Sequence, residues 1–213
     1  MSAVNISHQA LNRMPCYLQY LCREREMGRQ YITATAIAEA MRLNEVQVRK
    51  DIASVSSRPG KPMVGFFLPD LIADIQRFLG EENVWDAVLV GAGSMGRALM
   101  SYTGFAAYGL NIVCAFDIKP QKEPVCGRMV YPMGEMEHLC PRLHVRMGIL
   151  TTPASAAQSA CDQMVRSGII AIWNFAPTFV RVPEGILVQN ELLASSAAVL
   201  LRQMQEDEQE LSR

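Results

Sequence analysis

Six residues constrain this chain more than any others: Gly91-Ala92-Gly93-Ser94-Met95-Gly96. Directly before them runs Trp85-Asp86-Ala87-Val88-Leu89-Val90, a stretch of buried-strand character, and directly after comes a helical stretch, Arg97–Tyr102. Glycines at this spacing between a strand and a helix have separate physical duties. Gly91 permits a tight turn, Gly93 lets the backbone approach a pyrophosphate, and Gly96 lets the helix pack closely on the strand. Phosphates then sit at the positive end of the helix dipole. The element belongs to a parallel α/β sheet, and its residues point to a dinucleotide, with another nucleotide or none as the alternatives.

The sequence downstream keeps this grammar. A second strand, Asn111–Phe116, ends at Asp117, placed as the acid that binds ribose hydroxyls. An acid there repels a 2′-phosphate and favours NAD over NADP, a preference softened by Lys119. Arg146–Thr151 reads as a strand, Ala154–Ser167 as a helix closed by Gly168, and Ile169–Asn174 as a further strand. Thr151-Thr152-Pro153 and Asn174-Phe175-Ala176-Pro177 therefore lie at strand C-terminal ends, where open α/β sheets bind ligands. Residues 84–190 form this Rossmann-like unit. In 191–213 a final helix from Leu192 to about Gln209 carries an apolar stripe, Leu193, Ala197, Leu200 and Met204, that requires a partner surface.

Residues 1–80 read differently. Formal net charge is −1 overall, yet residues 1–66 hold nine of the 20 basic residues and only five of the 21 acidic ones, a basic module fused to an acidic body. Ala10, Met14, Tyr17, Leu18 and Leu21 give one helix with an apolar face, which Pro15 starts or kinks. Thr33 caps a short helix that breaks at Arg42-Leu43, and Asn44 with Gln47 opens the next, Glu45 to Val55. Val48, Ile52 and Val55 face the core, so Gln47, Lys50 and Ser54 face outward with Arg49 on the flank. This is a helix-turn-helix pattern, with a solvated three-helix bundle as the alternative. Ser56–Pro62 with Arg58 and Lys61, followed by a strand at Met63–Phe67, reads as a wing or as a linker. A helix from Leu68 to Gly80 leads to a boundary near Gly80–Asn83.

Half the residues are apolar and 19% charged, so a real core is available. No segment approaches a membrane span, and Met1–Leu11 has no apolar signal region. Six scattered cysteines suit reduced thiols in the cytoplasm, with Cys16, Cys22 and Cys114 in apolar patterns. Cys140 with His138 and His144 matches no standard zinc spacing, so no metal is expected. His138 and His144 fall between elements without an orienting carboxylate, and no Tyr-x-x-x-Lys occurs. A cofactor domain without catalytic machinery, joined to a DNA-binding module, makes a sensor rather than an enzyme. An NAD-dependent oxidoreductase and a CoA-binding module remain the alternatives.

Motifs in both halves resemble the Rex family of redox-sensing transcriptional repressors. They are Arg13-Met14-Pro15-x-Tyr17-Leu18-x-Tyr20-Leu21, Ala36–Ala40, Val48-Arg49-Lys50-Asp51, Val64-Gly65-Phe66, Val88–Leu99, Tyr102-x-Gly104-Phe105, Ala115-Phe116-Asp117, Ile149-Leu150-Thr151-x-Pro153, Asn174–Pro177 and Val182–Gly185. The resemblance implies a winged helix-turn-helix domain, a Rossmann-like NAD(H) domain and a terminal helix swapped between subunits. It implies a homodimer on double-stranded operator DNA, released when NADH displaces NAD⁺. Candidate nucleotide contacts are Gly91, Ala92, Gly93, Ser94, Met95, Gly96, Tyr102, Phe105, Asp117, Lys119, Thr151, Thr152, Pro153, Asn174, Phe175 and Pro177. Candidate DNA contacts are Arg13, Thr33, Gln47, Arg49, Lys50, Ser54, Arg58 and Lys61. Departures are the proline-bearing wing, Gln19 at a basic position of the first helix, and Leu193 at an acidic position of the last, with Glu191 two residues earlier. In the family such groups couple cofactor state to closure through the tyrosine matching Tyr102.

Overall fold

Ser7 Oγ accepts from Ala10 N at 3.2 Å and opens α1 (His8–Glu26). The helix runs through Pro15 rather than starting there. Met14, Tyr17, Leu18 and Leu21, on both sides of the proline, are buried, and their packing outweighs the one backbone hydrogen bond Pro15 removes. The computed structural model describes residues 6–80 and 84–211, in two units, Met1–Asn83 and Val84–Arg213. The part of the expected boundary at Glu81–Asn83 lies outside the described residues.

In the first unit β1 (Tyr31–Ile32) follows α1; two residues are too few to show a period in sequence. Thr33 Oγ1 accepts from Ala36 N and opens α2 (Ala34–Met41), which stops at Arg42 with φ 54°. Asn44 Oδ1 accepts from Val46 N and Gln47 N and opens α3 (Glu45–Val55). The strand expected at Met63–Phe67 is shorter. Met63 and Val64 lie in a tight turn, and only β2 (Phe66–Phe67) is extended, pairing antiparallel with β1. α4 (Leu68–Leu79) ends at Gly80, φ 80°. It is more than a connector, because Leu68, Leu71, Ile72 and Ile75 complete a core with Met14, Tyr17, Leu21, Ile37, Val48 and Ile52.

The second unit is a seven-stranded sheet of order β5-β6-β4-β3-β7-β8-β9. Its strands are β3 (Trp85–Val90), β4 (Leu110–Asp117), β5 (Gln121–Val125), β6 (Arg128–Pro132), β7 (Met147–Leu150), β8 (Ala171–Asn174) and β9 (Leu187–Asn190). All pair in parallel except the β5–β6 hairpin. Without β5 this is the doubly wound order, with β3 at its centre. The helices are α5 (Ser94–Ser101), three residues longer at its start than expected, α6 (Met136–Arg142), α7 (Ala154–Arg166) and α8 (Leu193–Leu211). Pattern reading missed β5, β6, α6 and β9. In β5 and β9 the burial is mostly exposed or partial, so no apolar alternation marks them. His138 accordingly sits inside α6 rather than between elements. Every described side chain of α8 from Leu193 to Glu206 is exposed.

Candidate functional site

Parallel pairing sets one edge of the sheet. Val90 is in register with Phe116 on β4 and Leu150 on β7, and Leu150 with Asn174 on β8. The residues that follow each, Gly91, Asp117, Thr151 and Phe175, therefore line up at the C-terminal edge, on both sides of the central strand. Gly91 takes φ 101°, and a side chain there would press on the Thr151 backbone at 3.0 Å. Thr151 Oγ1 donates to the carbonyls of Val90 and Gly91 at 3.0 and 2.7 Å, which fixes the turn. Gly96 touches the same turn: a Cβ would lie 2.1 Å from Gly91 O. Gly93 faces open space and is exposed, as are Ser94 and Met95 at the start of α5, while Ala92 is buried. Asp117 Oδ2 accepts from Ala92 N at 2.7 Å and Oδ1 from Lys119 N at 2.8 Å, so the acid stands against the glycine loop. Sequence reasoning missed Arg97, whose Nε donates to Ala92 O at 3.1 Å and brings a cation to the loop.

The remaining candidates surround this edge unevenly. Pro153 precedes α7 and is exposed, and Thr152 Oγ1 is buried without a hydrogen-bond partner. Asn174 is fully buried: Nδ2 donates to Thr178 O and Asn190 Oδ1, each at 2.8 Å, and Oδ1 accepts from Ala176 N. Its amide shapes the loop that carries Phe175 and Pro177. Four rings form a row, Tyr102 on Phe105 at 4.8 Å, Phe105 on Trp173 at 5.4 Å and Trp173 on Phe175 at 4.8 Å. Glu191 accepts from Trp173 Nε1 at 3.1 Å, placing an acid beside the row. Leu193 opens α8 and is exposed; the acidic group near this position is Glu191.

In the first unit a groove of about 720 Å³ runs between α3, the start of α2 and the turn after α3. Thr33, Arg49, Arg58 and Lys61 line it, joined by Thr35 and Ser57, which pattern reading passed over as ordinary polar residues. Arg49 pairs with Glu45 and Arg58 with Asp70 at 3.0 Å, both exposed pairs of small net worth that leave the cations free to exchange partners. Lys61 Nζ lies 5.9 Å over the Tyr31 ring, and Lys50 is exposed. Ser54 Oγ is turned back to Asp51 O at 2.6 Å. Arg13 is engaged inside the protein. Its Nε and Nη2 donate to Asp51 at 2.8 and 3.1 Å, and Tyr17 OH donates to the same carboxylate at 2.8 Å. In the amide orientation that satisfies both its ends, Gln47 also accepts from Arg13, at 3.0 and 3.1 Å. Burial, then the bond to Asp51, pushes the Tyr17 hydroxyl up to about 12, and the Asp51 bond raises Arg13 as well. The cluster ties α1 to α3 and fixes the rotation of the outward face.

Cysteines divide by depth. Burial pushes the thiols of Cys114, Cys140 and Cys161 up to about 12, 11 and 11, which makes them poor nucleophiles. Cys16, expected in an apolar setting, is exposed, as is Cys126. Cys140 lies in the core while Arg142 holds His138 on the surface at 3.0 Å, and among the described residues no three His, Cys, Asp or Glu side chains gather as a metal site.

Fold and site together define a class: a winged-helix module and a Rossmann-type nucleotide unit on one chain. Residues 5–53 match the family model "Putative DNA-binding protein N-terminus" and residues 82–178 match "CoA binding domain". The Redox-sensing transcriptional repressor Rex of Porphyromonas gingivalis is 37% identical over 93% of this chain and 92% of its own. That of Treponema denticola is 37% identical over 90% and 91%. A crystal structure of RSP, a Rex-family repressor, in complex with β-NAD⁺ and operator DNA superposes with TM-score 0.88 at 27% identity, covering 97% of this chain and 96% of that one. RSP in complex with β-NADH gives 0.86, covering 98% of each. The chain belongs to the Rex family of redox-sensing transcriptional repressors.

Proposed function

We propose that this chain is a dimeric transcriptional repressor whose grip on operator DNA is set by the NAD(H) bound in its Rossmann unit. One observation carries the nucleotide half: Asp117 stands against the glycine loop at the central crevice of the sheet. A carboxylate there accepts from both hydroxyls of an adenosine ribose and repels a ribose phosphate. CoA, suggested by the name of one matching family model, carries such a phosphate, so Asp117 favours NAD(H). The amides at the start of α5 and Arg97 serve the pyrophosphate. Thr151, Thr152, Pro153, Phe175 and Pro177 border the nicotinamide end, with the ring row from Tyr102 and Phe105 as its apolar wall.

On the DNA side, Gln47, Lys50 and Arg49 read or touch the major groove, with Thr33, Arg58 and Lys61 on phosphates. Arg13 and Ser54 position α3, and Asn174 positions the nucleotide loop. The exposed α8 stripe, Leu193, Leu200, Leu201 and Met204, is covered by a second copy, which brings two recognition helices to two half-sites. The protein works in the cytoplasm, where operator DNA and the nicotinamide pool meet.

The test is fluorescence anisotropy on a palindromic duplex enriched from a random library by the protein itself. NADH lowers affinity about tenfold or more, whereas NAD⁺ and CoA leave it in place. Equal affinity with and without NADH refutes the switch, and failure to enrich any duplex refutes DNA binding.

A further inference from the structure

The turn that follows the recognition helix carries an unusual tip. Lys61 N donates to Gly65 O at 2.8 Å, and Gly65 N and Val64 N both donate back to Lys61 O at 2.9 and 3.2 Å. Below this clasp the turn is wedged against its own domain. A Cβ on Gly65 would sit 2.1 Å from Ile32 O, and one on Gly60 would sit 3.2 Å from the Phe66 ring. Pro62 stiffens the ascending side, because its ring fixes φ. At the apex Met63 takes φ 61°, a left-handed conformation that glycine adopts freely and a methionine does not. Its side chain is fully exposed at 102%, and Val64 beside it is 45% exposed.

A rigid base therefore holds two apolar side chains out in water, beside one cation, Lys61. Neither feature helps the isolated domain. A strained backbone that presents an apolar group is a device for contact. The same turn lines the groove that holds Arg49 and Arg58, so its contact partner is the one those cations face. Apolar side chains serve DNA recognition by entering the minor groove and prising apart a base step, whereas arginines serve by filling a narrow groove with charge. With proline and methionine at the tip, this wing is built for the first mode.

We propose that Met63 is a minor-groove wedge, which makes the wing select a flexible pyrimidine–purine step (TA or CA/TG) over a stiff A-tract. The inference rests on the DNA-binding reading above and concerns sequence choice at positions the recognition helix does not touch. Flexible steps unstack at lower cost, so indirect readout follows from the shape of the tip alone.

The experiment enriches duplexes from a library randomised on both sides of the half-sites, using the full-length protein and its variants Met63→Gly and Met63→Lys. Glycine suits φ 61° and keeps the turn, which an unaltered or raised melting temperature verifies. The wild-type protein enriches a pyrimidine–purine step at one fixed position outside each half-site and binds it about tenfold tighter than an A-tract there. With 2-aminopurine at that step, binding raises the fluorescence, as unstacking requires. Met63→Gly loses both the preference and the signal, and Met63→Lys tightens binding to all sequences with a steeper salt dependence. Palindromic half-sites enriched with no step preference, or a preference that Met63→Gly retains, overturns the wedge while leaving DNA binding in place. Enrichment of no duplex at all removes the DNA-binding reading itself.

Discussion

Gly93→Ala separates folding from binding in the glycine loop. Gly93 has φ −73° and ψ −165°, a region open to alanine, and a Cβ built there meets no atom within 4 Å. The substitution should shift unfolding by less than about 0.5 kcal/mol, with the lower entropy of an unfolded alanine acting in its favour. In the proposed placement of the nucleotide this open space admits the pyrophosphate to the amides of α5, and a methyl group would deny that approach. Loss of one charge-assisted hydrogen bond, about 1.5–3 kcal/mol, raises the NADH dissociation constant about ten- to a hundredfold. Gly96→Ala is the control with the opposite signature. Its Cβ would fall 2.1 Å from Gly91 O and 2.9 Å from Leu89, so the turn must move and the melting temperature must fall. Quenching of Trp173, which lies in the ring row, measures NADH binding, and a thermal melt measures stability. Gly93→Ala that melts with the wild type and binds NADH equally well refutes the placement of the phosphates.

Three further outcomes are expected. Arg13→Met leaves the buried Asp51 with only Tyr17, and urea unfolding of the first unit should show a loss of about 3 kcal/mol; a loss under about 0.5 kcal/mol would remove the anchoring role. Burial alone would raise the Asp74 carboxyl, but two hydrogen bonds from Ser57 and the pair with Arg77 outweigh it and hold the group below its ordinary value. A depressed carboxyl stabilises the fold fully above about pH 4 and loses that contribution as pH falls through its folded value. Asp74→Asn should therefore flatten the acid limb of the melting temperature, and an identical limb in the variant would contradict this. Thiol titration at pH 8 should modify Cys16 and Cys126 in the folded protein and reach Cys114, Cys140 and Cys161 only on unfolding; rapid modification of the buried three would contradict their depth.

Local chemistry was legible in the sequence and long-range engagement was not. Thr33, Asn44 and Gly80 announce helix ends through hydrogen bonds or a left-handed turn within three residues of themselves, and each stands where expected. The glycine loop is legible for the same reason, since strand, turn and helix occupy consecutive residues. β1 pairs with β2 across more than 30 residues; with two residues β1 has no period to detect, and β2 was legible only as the end of a longer apolar run. Arg13 shows the deeper limit. Its sequence neighbourhood shows a basic residue on the first helix, far in sequence from α3, and only the fold brings Asp51, Tyr17 and Gln47 around it. A lone charge in a sequence states what it can bind; its burial decides whether that capacity is turned outward to a ligand or inward to hold the residues that are. By that criterion Arg13 and Asn174, engaged within the protein, set the geometry, and Lys50, Gly93 and Met63, exposed on it, are the positions where substitution should change binding before it changes stability.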